Sequence, residues 1–237
     1  LYSTISYSGW VRMRLLSKFG DGYYWINSYG YLKELSYDYQ YLNYEYDLLE
    51  GQLPKNKEDL VIVIDKNNCI NRDVLTSLGI YTEDINSFKF SDIIGKKYKV
   101  ITPDMYYVKE GNRYRTYSYM GYSNDDMYNT ATIELEIKGI VRQKESAKSK
   151  LYNTSILYSP LLTDYLLEYN NSCDIVIDQI NNPTVDVLTG EKFKVIEGDY
   201  SISSIAYQYE KNLSNFGATF SVTKVLIYTD KFENFEL

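Results

Sequence analysis

The segment LVIVI, from Leu60 to Ile64, is a short unbroken apolar run with polar residues on both sides. Such a run predicts a strand that is buried on both faces of a sheet. It follows a turn that contains Gly51 and Pro54, two residues whose backbone freedom and rigidity suit a sharp change of direction. We interpret this turn as an architectural corner, since it contains no Ser, Cys or His.

A short helix is predicted directly after this strand. Asn71 is a typical N-cap residue, and Val74, Leu75 and Leu78 form an apolar stripe with helical spacing. Gly79 then ends the pattern, as glycine often does at a helix C-terminus.

Alternating apolar and polar positions predict several further strands. Gly95 marks a turn before one of them, and residues 132–142 form another, in which Gly139 indicates a bulge. The tyrosine-rich residues 105–120 predict a hairpin. Residues 36–46 alternate tyrosine with polar residues and predict a strand with one bulge.

The C-terminal half mixes both periods. Ser159 as N-cap and Pro160 at the first position predict a helix, and its predicted buried stripe contains Leu161, Leu162, Tyr165, Leu166 and Tyr169. Strands are predicted at 154–159, 173–180 and 223–229, a helix at 200–213 and a loop at 121–130. Helices and strands alternate only in part, which predicts an α+β fold with mixed sheets.

Composition excludes several functions. The chain contains no histidine, so Ser-His-Asp and Cys-His catalysis are excluded, and the commonest metal ligand is missing. The net charge of −7 argues against a nucleic-acid partner. No apolar run reaches the roughly 18 residues of a membrane-spanning helix. This fits both a soluble protein and an extramembrane piece of a membrane protein.

Few side chains suggest chemistry. Asp125 and Asp126 could bind a cation, but they lack the spacing of a calcium loop, and a solvated loop is the simpler interpretation. Glu134 and Glu136 lie on the same face of a predicted strand, about 7 Å apart. Because Lys138 continues that row, we interpret it as a charged outer face. Cofactors and metals are therefore not expected.

The two cysteines, Cys69 and Cys173, permit one disulfide. Two thiols far apart in the sequence are more often buried small apolar groups, and the sequence leaves their pairing open.

Tyrosine is abundant, with 28 residues against 8 phenylalanines. Tyrosine rings pack well in half-wet positions, so the tyrosines could form a tyrosine-faced sheet or an aromatic surface for a peptide or glycan. Within the predicted hairpin, the candidate ligand surface is formed by Tyr106, Tyr107, Tyr114, Tyr117 and Tyr119.

Several segments together resemble a known family. They are YDLLEGQLPKNKEDLVIVID, DIIGKKYKV and LEIKGIV, followed by SILYSPLLTDYLLE, DIVIDQINNPTVDVLTGEKF and VLIYTDKFE. In this order they resemble the extracytoplasmic core domain of MacB-like, FtsX-type ABC transporter permeases, and the later segments resemble those of Gram-positive members. The first forty residues and the long hairpin depart from the pattern.

The resemblance implies a division of the chain. Residues 1–49 and 150–237 would form a porter-like α/β subdomain, residues 50–142 an inserted small β-rich α/β subdomain, and residues 143–149 a linker. Gly51, Pro54, Gly79, Gly95 and Gly139 would be structural corners.

The resemblance also implies a function. The chain would be the non-catalytic extracellular domain of a permease at the cell membrane, coupling transmembrane motion to export or sensing of a peptide, lipid or lipoprotein. Its partners would be the transmembrane helices of the same permease, a cytoplasmic ABC ATPase acting indirectly, and a second permease copy. The alternatives are a secreted or surface-anchored glycan- or peptide-binding module and, third, a carboxylate-dependent hydrolase.

Overall fold

The computed structural model describes residues 2–27, 30–35, 39–80, 87–147, 152–194 and 204–229. Within these ranges the fold is α+β with mixed sheets, as predicted. The strands are β1 (Tyr2–Val11), β2 (Leu15–Phe19), β3 (Gly22–Ile26), β4 (Leu32–Glu34), β5 (Tyr46–Gly51), β6 (Asp59–Ile64), β7 (Lys97–Val100), β8 (Tyr107–Glu110), β9 (Arg113–Thr116), β10 (Glu134–Gln143), β11 (Ser155–Tyr158), β12 (Val185–Asp186), β13 (Glu191–Lys192) and β14 (Phe220–Thr229). The helices are α1 (Tyr39–Glu45), α2 (Arg72–Ser77), α3 (Pro103–Tyr106), α4 (Asn124–Thr130), α5 (Pro160–Asn171), α6 (Asp174–Asn181) and α7 (Ile205–Asn215).

One eight-stranded sheet organises the body of the molecule. Its order is β3-β2-β7-β10-β6-β11-β4, and β5 also pairs with β10. The long strand β10 pairs with β6 in parallel, while β7 and β5 pair antiparallel with successive halves of it. Three two-stranded sheets, β1–β14, β8–β9 and β12–β13, lie outside this sheet.

Strand β6 lies deep in this sheet, which confirms the prediction for the LVIVI run. Leu60, Ile62 and Ile64 belong to one apolar core, whereas Val61 and Val63 belong to the core on the other face. All five side chains are at most 1% exposed. Fully burying such a side chain contributes about 1.5–3 kcal/mol, so this strand fixes both layers of packing.

Three of the four glycines predicted as structural corners have a positive φ angle, a backbone conformation that favours glycine. Gly51, Gly79 and Gly95 have positive φ angles of 74°, 67° and 83°. Pro54 is buried in the turn before β6. Gly139 lies at a register shift between β10 and β6, which confirms the predicted bulge.

Asp59 completes the turn that contains Pro54. Its buried carboxylate accepts hydrogen bonds from the backbone amides of Lys55 at 2.8 Å and Asn56 at 2.9 Å. The charged and amide residues of this turn thus serve the chain's change of direction.

Other predicted elements are also present. Asn71 accepts a hydrogen bond from the amide of Asp73 and caps α2, and Ser159 caps α5 with Pro160 at its first position. The hairpin β8–β9, the strands β7, β10, β11 and β14, and the helix α7 lie at or near their predicted positions. In α5, Leu162 and Leu166 are buried as expected, but Leu161 is 48% exposed.

Three predictions of secondary structure were wrong. In the prediction for 36–46, residues 36–38 lie outside the described residues, and residues 39–45 form α1 and not a strand; Leu42 of α1 is buried in one core with Tyr46, the first residue of β5. Residues 124–130 form α4 and not a loop, because Ser123 and Asp126 form a capping box. Residues 174–181 form α6 and not a strand.

The burial pattern of α6 explains that third error. Ile175, Val176 and Gln179 are buried with helical spacing, while Ile177 and Ile180 are 41% and 45% exposed. A strand would have required alternate positions to share a face.

The predicted division into subdomains does not divide the main sheet. Strands from the predicted flanks, such as β2 and β11, and strands from the predicted insert, such as β7 and β6, lie in one sheet. β5 crosses the predicted boundary at residue 50, and β10 crosses the one at residue 142. The predicted linker lies partly outside the described residues, and Lys144 in its described part donates an amide hydrogen bond to the carbonyl of Glu45.

Both cysteines are free thiols, Cys69 exposed and Cys173 buried. In the described ranges, no helix is long and apolar enough to span a bilayer.

Candidate functional site

The first and last described strands form a two-stranded antiparallel ribbon, β1–β14. Its pairing runs from Tyr2 opposite Thr229 to Val11 opposite Phe220. The two strands therefore run side by side, and residue 2 lies beside residue 229. We call this pair the ribbon.

Two arginines hold the base of the ribbon to the end of α7. Arg12 donates from Nη1 to Oδ1 of Asn215 at 3.2 Å, and Arg14 donates from Nη2 to the carbonyl oxygen of Asn215 at 2.8 Å. Cations near a helix C-terminus also interact favourably with its dipole. These bonds connect the segment between β1 and β2 to the helix that precedes β14.

Two asparagines of α5 hold the segment that directly precedes the other strand of the ribbon, β14. Asn170 donates from Nδ2 to the carbonyl oxygen of Gly217 at 3.0 Å, and Asn171 donates to that of Ala218 at 3.1 Å. We define the ribbon clamp as Arg12, Arg14, Asn170 and Asn171 together with their partners in residues 215–218. The clamp fixes the segment that follows β1 and the segment that precedes β14 to the helices α5 and α7.

Arg14 also lies among the tyrosines of the hairpin. Its guanidinium carbon is 4.3 Å from the ring centroid of Tyr106, and Nη2 donates to the hydroxyl of Tyr107 at 2.8 Å. Burial lowers the pKa of Arg14, and the neighbouring tyrosines partly oppose that shift. An arginine nevertheless stays protonated, so a partly buried cation held by aromatic faces joins the clamp to the hairpin.

The replacement Arg14→Met is expected to loosen the ribbon. Methionine keeps much of the packing but removes the guanidinium that bonds Asn215 and Tyr107, so the free energy of unfolding should fall by about 2 kcal/mol. Hydrogen exchange should accelerate most in β1, β14 and the end of α7. The exposed Arg72→Met in α2 serves as the control, and equal effects of both replacements would contradict a specific role of Arg14.

Most of the predicted ligand surface is buried. Tyr107, Tyr114 and Tyr117 are only 5–8% exposed, although Tyr107 and Tyr114 line one of the clefts described below, so their role in ligand binding stays a prediction. Tyr106 is half-buried beneath Arg14, and only Tyr119 is well exposed, at 60%. The sequence pattern missed that helices would cover the hairpin.

The contacts of the hairpin explain this burial. Tyr107 and Tyr114 pack with Val176 of α6 and with Phe216, and Tyr117 packs in a separate core with Met127 of α4. The hydroxyls find partners there: Tyr114 donates to Asp178 at 2.6 Å, and Tyr117 donates to Asn124 at 2.7 Å.

Two adjoining clefts open beside the same hairpin, with volumes of about 490 and 470 Å³. They share Asp104, Val108 and Tyr169, and we call these three residues together with Cys173, which lines the second cleft, the ridge. We call them the double cleft. The first cleft is lined mainly by apolar and hydroxyl side chains, among them Val100, Thr102, Met105, Tyr122, Met127 and Ile133.

The ridge contains a carboxylate, a phenol and a thiol. Tyr169 donates to Oδ2 of Asp104 at 2.9 Å, and Sγ of Cys173 lies 3.8 Å from Oδ1. Burial raises the pKa of Tyr169 and of Cys173 to about 12 each, and the carboxylate of Asp104 adds to both shifts. The thiol is therefore protonated at neutral pH, which is the opposite of an activated nucleophile.

Sequence reasoning did not identify this ridge. Asp104 begins the short helix α3, whereas Tyr169 and Cys173 end α5 and precede α6. No motif or spacing connects these positions, because tertiary packing alone brings them together.

Both carboxylates of the predicted pair form ion pairs with lysines. Glu134 forms ion pairs with Lys97 at 2.8 Å and Lys99 at 3.1 Å, and Glu136 forms one with Lys138 at 2.7 Å. These contacts agree with a charged outer face.

The acidic residues of α4 are also bonded within the chain. Asp126 accepts hydrogen bonds from the amide and hydroxyl of Ser123, and Asp125 accepts one from Asn129 at 2.6 Å. In the part of the chain that the structure describes, no three Cys, Asp or Glu side chains group as a metal site would require.

Comparisons of the chain with models of protein families, with curated proteins and with solved structures gave no match.

Proposed function

We propose that this chain is the extracellular domain of an FtsX-type, MacB-like ABC transporter permease. In this proposal the domain is non-catalytic and lies at the extracellular face of the cell membrane. It passes movement of transmembrane helices to the export or sensing of a peptide, lipid or lipoprotein. The observation that carries the proposal is the ribbon, in which Tyr2 lies opposite Thr229.

The ribbon supports the proposal because of a simple geometric requirement. A domain inserted between two transmembrane helices must return both of its ends to the same membrane surface. An antiparallel pair of first and last strands meets this requirement, whereas ends at opposite poles would violate it.

The attachment of the ribbon supports a role in transmitting movement. The clamp bonds the chain segments at the base of the ribbon to α5 and α7, and α5 packs on the main sheet through Leu162 and Leu166. Close-packed interiors deform little, so a displacement of the ribbon should move the body as a unit. A cytoplasmic ATPase would drive this displacement indirectly through the transmembrane helices, and a second permease copy would face the first.

The alternatives receive less support from the described residues. A glycan- or peptide-binding module built on the tyrosines of the hairpin would need most of them exposed, but Tyr107, Tyr114 and Tyr117 are buried. A hydrolase would need a free carboxylate pair or an activated nucleophile, but Glu134 and Glu136 are ion-paired, and the Cys173 thiol is protonated.

The direct test is to read the gene on both sides of these residues. The proposal requires an apolar segment of roughly 18 residues or more before and after the chain, and an ATPase gene beside it. A signal peptide on one side and a wall anchor on the other would overturn it.

A second test measures movement in the membrane-embedded protein. Nitroxide labels at Val222 in the ribbon and at Asp73 in α2 report the distance between ribbon and body, with Cys69→Ser to prevent labelling of the exposed thiol. We expect ATP to leave this distance unchanged within one copy and to change the Asp73–Asp73 distance between two copies. Bending within the copy, or no change between copies, would contradict transmission by a rigid body.

A further inference from the structure

We propose that the double cleft binds an extended peptide segment in which a Lys or Arg side chain stands next to apolar side chains. In this arrangement Asp104 on the ridge receives the cation, and the first cleft receives an apolar side chain. The inference deepens the proposed function and rests on it, because the bound peptide would be the cargo or the signal of the permease.

The wall of the first cleft suits flexible apolar groups. Met105 and Met127, two of the four methionines in the chain, line it together with Val100, Val108 and Ile133. Methionine adapts its shape readily and is common at surfaces that accept varied apolar partners. A volume of about 490 Å³ accommodates a few side chains and is too small for a folded partner.

The charges around the double cleft are predominantly negative. Asp104 and Asp126 line the first cleft, and Asp104 and Asp174 line the second. Lys109 also lines the second cleft, but it forms an ion pair with Asp178 at 2.7 Å.

Asp104 is the carboxylate best placed to receive a cation. It is exposed on the ridge, and among the described residues its side chain is bonded to the neutral phenol of Tyr169 and the thiol of Cys173. Across the described ranges, no Lys or Arg forms an ion pair with Asp104 or with Asp174. A ligand cation would therefore neutralise the carboxylate charge of Asp104, whereas that charge would repel a phosphate or another anion.

The shape of the site favours an extended chain. The clefts lie on either side of the Asp104 ridge, so neighbouring side chains of one strand-like segment can enter both. Tyr122 lines the first cleft and is 53% exposed, and Tyr119 and Met120 are exposed in the same turn. Such rings give contact area with little loss of conformational entropy.

The double cleft also touches the ribbon clamp. Tyr107 lines the second cleft and accepts the hydrogen bond from Arg14. Tyr169 of the ridge directly precedes Asn170, which bonds the base of the ribbon. A peptide in the double cleft would therefore contact residues that hold the ribbon in place.

The test is a binding titration with the 237-residue chain and a short fluorescein-labelled peptide of Lys, Leu and Ser residues. Fluorescence polarisation should report binding that weakens with added salt. The same peptide with Glu in place of Lys should bind at least fivefold more weakly. Equal binding of both peptides, or of neither, would overturn the proposal.

Variants then locate the site. Asp104→Asn should weaken binding of the Lys peptide about fivefold, the size expected for a partly exposed ion pair. Adding Asp174→Asn should weaken it further, and Asp104→Lys should reverse the preference toward the Glu peptide. Glu168→Gln, an exposed acidic residue of α5 that does not line either cleft, is the control.

Two results would contradict the assigned site. One is equal binding by Asp104→Asn and Glu168→Gln, and the other is a Lys-peptide preference that survives in Asp104→Lys. Circular dichroism confirms that each variant is folded. Binding is measured without membranes or ATP, so its failure is separate from the failure of the gene-context and distance tests of the proposed function.

Discussion

Replacing Glu34 by Gln should raise the free energy of unfolding at pH 8 by up to about 3 kcal/mol and leave it nearly unchanged at pH 4. Glu34 is the last residue of β4 and is 3% exposed. Burial raises its pKa from the usual 4.5 to about 7, a hydrogen bond from Thr163 opposes the shift, and the charge of Asp164 adds to it.

The surroundings of Glu34 explain why its neutral form is favoured. The Thr163 hydroxyl of α5 donates to its Oε2, and the buried Tyr158 of β11 interacts with it electrostatically. The described charged or titratable neighbours are thus Asp164 and Tyr158, and neither is a cation. A buried carboxylate without a cationic partner is costly, so the folded protein keeps the proton.

The direction of the pH effect follows from the raised pKa. Between pH 4.5 and about 7 the unfolded chain releases the proton of Glu34 while the folded protein retains it. Folding then takes up a proton, so stability falls as the pH rises through this window. Gln is neutral throughout and can still accept the hydrogen bond from Thr163, so it avoids this loss.

Urea denaturation of the wild type and of Glu34→Gln between pH 4 and pH 8.5 measures the difference. The exposed Glu210→Gln of α7 is the matched control and should change stability little at any pH. A difference between Glu34→Gln and wild type that stays constant across the range would contradict the raised pKa, even if the variant is more stable.

The sequence pattern predicted elements whose signals are local. The LVIVI run of β6, the Asn71 cap of α2 and the Ser159-Pro160 start of α5 depend on residues within a few positions of each other. In each case the local preference agrees with the final environment. The α+β class could therefore be predicted from the order of these elements.

The errors occurred where the local pattern suited two structures. The apolar residues of α6 fit a buried strand as well as a helix, and only the exposure of Ile177 and Ile180 distinguishes the two. For α4 a usable signal existed, since Ser123 followed by Asp126 is a recognisable N-terminal capping pattern. In α1 the tyrosines alternate with polar residues as they would in a strand, and this alternation suggested the wrong period.

The candidate sites could not be predicted for a different reason. The ridge of the double cleft joins Asp104 to Tyr169 and Cys173, which are more than sixty positions away. The clamp joins Arg14 to Asn215, about two hundred positions away. Contacts of this range depend on the packing of the whole sheet, and neither site contains a motif with fixed spacing.

Alanine at Gly51 or Gly139 should lower the free energy of unfolding by about 3–5 kcal/mol, a large part of the stability of a typical domain. The two glycines are opposite each other in the pairing of β5 with β10. A Cβ atom at Gly51 would collide with the carbonyl oxygen of Lys138, and one at Gly139 would collide with the carbonyl oxygen of Gln52. These backbone atoms cannot move freely, because the Gln52 amide donates to the Lys138 carbonyl at 2.9 Å.

Gly95→Ala separates the two causes of this loss of stability, which are backbone strain at a positive φ angle and collision of the added Cβ atom with neighbouring backbone. Gly95 has a φ of 83°, but nothing lies within 4 Å of an added Cβ, so alanine there should cost only the backbone strain of about 1–2 kcal/mol. Gly139 has no positive φ, so its replacement measures the close backbone approach alone. Urea unfolding of the three variants at constant m-value provides the comparison. Costs at Gly51 and Gly139 no larger than that at Gly95 would show that β5 and β10 can separate locally without loss, and the close approach of their backbones would not be rigid.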